Sequence, residues 1–570
     1  MIKNFLKKYG WNYIPGVALM ILCSWIQTRA PLALGNAVNE AVKRDWQLFF
    51  RYTLSILFIA LGVFVTRFGW RWFVIRTSRE MEVYLRDRLF THLLNLPVGF
   101  YTTTRSGDLM AYAINDVNAV RLLFGMVFAQ FINAVSSLIF SIGEMSAGIH
   151  ARLTVFSLLP VPLALVIVLG LGALVRRRAK YAQDMFSVIS GHVQENINGM
   201  RVIKAFAQED RQYNDYEKES LEKMRANRRW YFASAWMDPL IKTVFGLSCA
   251  IGLIYGGNLV MQGTIGLNEY IAFNSYLTMI SSPIMMIGRV NNNLQRGLAG
   301  YRRIKTLMDV PEVSAFDMQA DHKPISPEIR AKNLSFGYNS DNPALANVSF
   351  SLEKGKMLGI VGPTGAGKTT LFNLILKLYP CPRGQLFVGG RDVNDIPAVS
   401  LRSKIGYVPQ DGFLFDESIE ENVRFFSDAT REDIERYLDI AGMKGDIARM
   451  SEGLATMCGE RGNHLSGGQR QRVALARALV RKPEILLLDD TLSVVDNDTE
   501  KRILQNLKTE LKDRSCITIS HRLSAVEAAD EIIVLDEGGI KERGTHSQLL
   551  EMGGIYAHMY ELQQKGESHD

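Results

Sequence analysis

Read along its apolar positions, the chain has two unlike halves. Up to about Leu294, runs of roughly 20 apolar residues recur, the length a helix needs to cross the hydrocarbon core of a bilayer. Beyond about Asp321 such runs stop, and short strand-like stretches alternate with helical ones and Gly-rich turns. The pattern predicts six spans, near 14–34, 52–75, 126–149, 153–175, 240–261 and 267–288. Short connections follow the first, third and fifth. The segments 76–125 and 176–239 are long, and they mix charged with apolar residues at helical spacing, as in Met81–Phe90 and Tyr213–Glu219. They read as helices continuing past the bilayer. At 1.5 Å per residue, about 25 extra residues project roughly 35–40 Å. The fold class expected is an α-helical six-span transmembrane domain with long cytoplasmic helical hairpins over residues 1–322, followed by an α/β domain over 323–570.

Charge sharpens the topology. The formal net charge is +7, and much of the basic charge flanks apolar segments (Lys3, Lys7, Lys8, Arg176, Arg177, Arg178) or lies in the two long loops. This places both loops and both termini in the cytoplasm, in contact with anionic lipid, and sets nucleic acid aside as a partner. Lysines ahead of Ile14–Ile26 could open a signal peptide, but no small-residue cleavage site follows and further spans do. The five cysteines have neither metal-ligand nor disulfide spacing and read as reduced thiols.

Two features of the membrane half invite a function. Pro97, Gly99, Phe100 and Tyr101 mark the apex of the first hairpin, ahead of Ser106-Gly107-Asp108; Gly199–Phe206 mark the second. Aromatic and apolar residues at solvated tips need a partner surface, and the soluble half offers one. Arg29, Arg67, Arg71, Glu144 and Lys242 fall within spans, where ionisable residues face a bundle interior or a watery cavity. Glu144 is the candidate cargo contact, with the outer headgroups as its alternative surroundings. Arg67, Arg71 and Lys242 have snorkelling or pairing within the bundle as theirs.

The soluble half carries a phosphate-binding loop: Gly362, Pro363, Thr364, Gly365, Ala366, Gly367, Lys368 and Thr369, between the apolar strand Met357–Val361 and a helix running on from Thr370. Glycines let backbone N–H groups wrap the phosphates of ATP, and the helix N-terminus favours their charge. Lys368 is expected on the β- and γ-phosphates, Thr369 on Mg²⁺. Ile485–Asp489 reads as a buried strand ending in a second Mg²⁺ partner, Asp489. Between them, Leu465, Ser466, Gly467, Gly468 and Gln469 open another helix and form a second anion site. Two phosphate-binding surfaces in one polypeptide make sense if the second grips a nucleotide held by another copy of the domain.

On this pentapeptide, with the phosphate loop upstream and Asp489 downstream, the chain resembles ABC transporters of the exporter type over essentially its whole length. The resemblance implies a P-loop ATPase driving transport, with both ATP and Mg²⁺ required. It casts Tyr338, 24 residues before Gly362, as the aromatic that stacks on adenine. Gln410 becomes the sensor of Mg²⁺ and of the attacking water, Gly459–Gly462 the loop touching the hairpin tips, Ser493–Asp496 the loop crossing to the partner cassette, and His521 the switch histidine at the γ-phosphate. Gly107–Leu109 and Gly199–Phe206 look like the family's two coupling regions.

One position departs from the pattern. After Asp489 the family has a glutamate as general base; here stands Asp490, one methylene shorter, so its oxygens withdraw by roughly 1–1.5 Å from a water that must lie within about 2.6–3.2 Å of the base. Misplacement on that scale costs around 10²-fold in rate. With an intact pentapeptide, the chain resembles the degenerate-site subunit of bacterial heterodimeric multidrug exporters; a homodimer with two slow sites is the alternative. The cargo implied is small, hydrophobic or amphipathic, leaving across a bacterial plasma membrane. A lipid or lipopeptide flippase and an ATP-gated channel share the same motifs.

Overall fold

The computed structural model describes residues 1–321, 323–338, 343–510 and 514–567. By contacts the chain divides into two units: Met1–Leu94 with Arg105–Val310, and Asn95–Thr104 with Pro311–Asp570.

The first unit is helical throughout. Its long elements are α1 (Ile2–Lys43), α2 (Trp46–Leu94), α3 (Ser106–Leu158), α4 (Val161–Asn198), α5 (Glu209–Met261) and α6 (Leu267–Met308). Among the described residues, four of these, α1, α2, α3 and α5, are long and apolar enough to cross a membrane. The fourth and sixth expected spans coincide with helical backbone in α4 and α6, and several of their residues lie outside those whose side chains are described. Between the third and fourth expected spans, α3 breaks at His150, whose extended backbone (φ −161°, ψ 117°) lets its ring nitrogen Nδ1 accept from the Leu153 N–H at 3.2 Å. A turn at Leu159-Pro160 then precedes α4.

The exposed stretches of α2 are apolar (Leu54, Leu57, Phe58, Leu61, Phe64), whereas its lower half turns Met81, Leu85 and Leu89 inward. That switch from outward-facing to inward-facing apolar residues is what a helix leaving lipid for a water-facing bundle requires. Arg303 of α6 closes a two-pronged ion pair on buried Asp116 of α3 (2.8 and 2.5 Å). In the second hairpin, His192 of α4 sits between Glu219 and Gln212 of α5, at 3.0 Å from each. Its apex, Met200–Ala205, leaves Met200, Val202 and Phe206 exposed.

The second unit holds two sheets. The strands are β1 (Ile329–Phe336), β2 (Leu345–Leu352), β3 (Met357–Val361), β4 (Leu386–Val388), β5 (Arg391–Asp392), β6 (Ile405–Val408), β7 (Ile485–Asp489), β8 (Ser515–Ile519), β9 (Glu531–Asp536) and β10 (Gly539–Gly544). A four-stranded antiparallel sheet runs β2-β1-β4-β5, and a six-stranded sheet runs β10-β9-β3-β8-β7-β6, parallel except for β10. Every residue of β7 and β8 is buried, the apolar signature of a parallel sheet covered on both faces. The apex Asn95–Thr104 belongs to this unit. Asn95 accepts from the Val313 N–H at 2.8 Å, and Gly99 packs so closely on Tyr379 that a Cβ would stand 3.3 Å from its ring.

Hydrogen bonds that the protonated ring donates to the Gln212 amide oxygen and the Glu219 carboxylate raise the His192 pKa above its ordinary 6.5. The stabilisation of the second hairpin is then complete below pH 6.5 and fades as the pH climbs through the raised value. Amide protection around residues 189–196 and 212–219, corrected for the intrinsic exchange rate, is expected to fall as the pH rises above 6.5, and His192→Gln to flatten that dependence.

Candidate nucleotide site

The carboxyl ends of β3, β7 and β8 lie side by side, because β3 pairs with β8 and β8 with β7 in parallel register, with Asp489 opposite Ile519. Whatever follows each strand therefore converges on one edge, where ligands of open α/β sheets bind. After β3 comes the loop Gly362–Gly367, then α7 (Lys368–Ile375). Gly362 (φ 146°) and Gly367 (φ 96°) hold backbone shapes that side chains avoid. A Cβ at Gly367 would press to 2.3 Å on the Ala344 carbonyl.

Lys368 is buried and curls back to donate to the Gly362 and Pro363 carbonyls (2.8 and 2.9 Å). Burial lowers its pKa, opposed by the carboxylates of Asp490 and Asp489. Thr369 donates to Asp489 Oδ1 at 3.4 Å. The other oxygen, Oδ2, is buried with no hydrogen-bond partner, and burial raises the Asp489 pKa. An orphaned carboxylate oxygen beside a threonine hydroxyl is a donor pair that suits a hard cation.

Asp490 leaves β7 in the left-handed region (φ 47°), a conformation aspartate visits more readily than most residues. It is buried, and its Oδ1 accepts from the His521 backbone N–H at 3.1 Å. Asp490 and His521 thus meet because they follow neighbouring strands. Tyr338 stands at the rim, half-exposed, its hydroxyl accepting from Asn373 (3.1 Å) and donating to Thr370 (3.3 Å), its ring edge-on to Phe336 and Tyr379. Gln410 is exposed, and its carbonyl accepts from Gln471.

The pentapeptide Leu465–Gln469 is built elsewhere in the unit. Ser466 caps α8 (Gly467–Val480) in a reciprocal box with Gln469 (3.3 and 3.0 Å). Gly468 lies against the Val494 carbonyl, where a Cβ would come within 2.9 Å. Behind it, Asp446 gathers Gln469 (3.2 Å), Arg449 (3.0 Å) and Arg472 (2.7 Å). Val494, in the neighbouring Ser493–Asp496 loop, is exposed, and Gly459–Gly462 form a turn with Arg461 at φ 55°.

Two glutamines escaped the sequence reading. Gln471 is buried and donates to the carbonyls of both Gln410 (3.1 Å) and Asp490 (3.4 Å). Its signal was available, as a polar residue one and two turns before Leu475 and Leu479 on the buried stripe of α8. Gln563, on the last helix α9 (Ile555–Glu567), accepts from Leu523 N (3.0 Å) and donates to the His521 carbonyl (2.6 Å). No local pattern marks it, since its partner is 42 residues away.

In the helical unit, Glu144 pairs with Arg29 at 3.2 Å, and Arg29 also lies over Trp25. A separate cavity of about 570 Å³ opens among α1, α2, α3 and α6, with Arg67, Arg71, Gln27 and Asn133 on its wall; Glu144 does not line it. Lys242 pairs with Asp238 one turn away.

Residues 13–284 match the family described as ABC transporter transmembrane region, and 345–493 the family described as ABC transporter. The chain is 35% identical to the probable multidrug resistance ABC transporter ATP-binding/permease protein YheI of Bacillus subtilis, over 98% of both chains. It is 34% identical to the multidrug resistance-like ATP-binding protein MdlA of Escherichia coli (98% of this chain, 95% of the relative). It is 32% identical to an ATP-dependent lipid A-core flippase of Syntrophus aciditrophicus (84% and 80%). A solved bacterial Atm1-family ABC exporter with ATP bound superposes with a TM-score of 0.80 at 25% identity, covering 98% of each chain.

Replacing Gln563 by Ala removes two hydrogen bonds from the His521 loop, each worth about 1 kcal/mol. ATP turnover is expected to fall by up to about 30-fold with ATP affinity unchanged, whereas Lys368→Ala is expected to lose ATP binding itself; nucleotide titration beside steady-state turnover separates the two.

Proposed function

The chain belongs to the ABC transporter family, exporter type, with its membrane region fused ahead of its ATPase domain, and on that premise we propose that it is one half of a dimeric, heterodimeric exporter of hydrophobic or amphipathic compounds. It would span the plasma membrane six times, with both termini in the cytoplasm. The observation that carries the reading is the convergence of Lys368, Thr369, Asp489, Asp490 and His521 on one sheet edge, while Ser466 and its glycines open a separate helix.

In this reading Gly362–Gly367 and Lys368 bind the phosphates, Tyr338 stacks on adenine, and Thr369, Asp489 and Gln410 hold Mg²⁺, which when bound neutralises charge on the β- and γ-phosphate oxygens. His521, held through its carbonyl by Gln563, contacts the γ-phosphate. Leu465–Gln469 of each half closes on the ATP of the other, so two nucleotides are buried per dimer. Closure transmits to the hairpin apices and turns the bundle from inward- to outward-facing. The exposed apolar apex Met200–Phe206 supports a partner cassette as its seat.

Asp490 makes this chain's own site slow. Its carboxylate is short and already accepts the His521 N–H, so a water held by a longer base is out of its reach. The sequence relationship to a lipid A-core flippase favours a second reading, in which the cargo is a lipid.

ATP turnover of the purified chain in lipid is expected to be nearly silent alone, to rise in the presence of a partner half, and to rise about 10²-fold at this site with Asp490→Glu. Brisk turnover by the chain alone, unchanged in Asp490→Glu, would overturn the degenerate site and leave the family assignment intact.

A further inference from the structure

The cavity among α1, α2, α3 and α6 holds two guanidinium groups, Arg67 and Arg71, one helical turn apart on α2. Among the described residues neither has a carboxylate partner. Arg67 reaches only the Gln27 amide oxygen, at 3.5 Å, and Arg71 lies over the ring of Trp70 at 5.7 Å. Among the described residues no Asp or Glu lines the cavity, and Glu144, the ionisable candidate of the neighbouring span, is taken up by Arg29. The remaining wall is apolar or neutral, with Met126, Met279 and Met286 supplying an adaptable surface.

Two like charges at i and i+4 repel one another, and each is costly beside hydrocarbon. Such a pair is retained at low cost only if something anionic neutralises it. Guanidinium forks match phosphate and carboxylate oxygens in pairs, and the volume of about 570 Å³ accepts an alkyl chain with its headgroup. A cationic cargo entering the same space would meet two uncompensated positive charges. Resting on the export reading above, we propose that the cargo is an amphiphile with an anionic headgroup, bound through Arg67 and Arg71, rather than a lipophilic cation.

The test uses the assembled transporter in phosphatidylcholine vesicles with two probes of equal chain length, dodecyl phosphate and dodecyltrimethylammonium, below their micellar concentrations. Binding is read by equilibrium dialysis without nucleotide, and ATP-driven movement is read separately. Dodecyl phosphate is expected to half-saturate at a concentration at least tenfold below the cation. Arg67→Gln with Arg71→Gln should abolish that difference, and Arg67→Lys with Arg71→Lys should preserve its direction. Adding phosphatidylglycerol distinguishes the source of the headgroup: competition with dodecyl phosphate assigns the site to a membrane lipid, and its absence to a soluble amphiphile. Equal or tighter binding of the cation, or a preference that survives the double Gln change while the double Lys change behaves the same, overturns the proposal. Anion preference without ATP-driven movement of either probe would instead overturn the export reading and leave the site standing.

Discussion

An ammonium and two carboxylates held out of water at the ends of parallel strands set the terms for the soluble unit. Lys368 follows the loop after β3, while Asp489 ends β7 and Asp490 follows it, one strand removed across β8. Burial weakens the lysine's hold on its proton and strengthens that of Asp489, and each group's charge opposes the shift of the other. Asp489 is delivered directly by its strand, and β7 and β8, buried along their whole length, leave it little room to drift.

Around that centre, buried amides and a half-buried guanidinium tie loops to one another. Gln471 joins the backbone at Gln410 to that at Asp490, so a movement of the segment after β6 is felt at the end of β7. Arg477 donates to the carbonyls of Phe413 and Asn422 and to the Asn422 side chain, and burial pulls its pKa down to about 10. Asn422 in turn donates to the carbonyls of Phe415, Glu417 and Ser418. The stretch that follows Gln410 is thereby pinned at several points rather than left as a loose connection.

The helical unit deals with charge in two ways. Arg29 and Glu144 neutralise each other between helices, and Arg303 does the same for buried Asp116. Arg67 and Arg71 are left facing a cavity whose described lining holds no carboxylate, Arg67 reaching the Gln27 amide and Arg71 the Trp70 ring. Paired charges hold helices together; unpaired ones on a cavity wall are available to a ligand.

The sequence alone carried the phosphate loop, the capped pentapeptide, the strand ending in Asp489, the apolar stretches of α1, α2, α3 and α5, and the two long hairpins, because each depends on residues contiguous along the chain: a glycine pattern, a cap, a run of one hydropathy, a period. It also exposed Asp490 as a departure, since identity at one position needs no geometry. What only the tertiary structure decided lies between segments remote in sequence. Parallel register brings His521 onto Asp490, Gln563 reaches the His521 backbone from the far end of the chain, and Glu144 finds Arg29 instead of the cavity. These are contacts between elements, and their cause is how strands align and helices pack, which no local periodicity encodes.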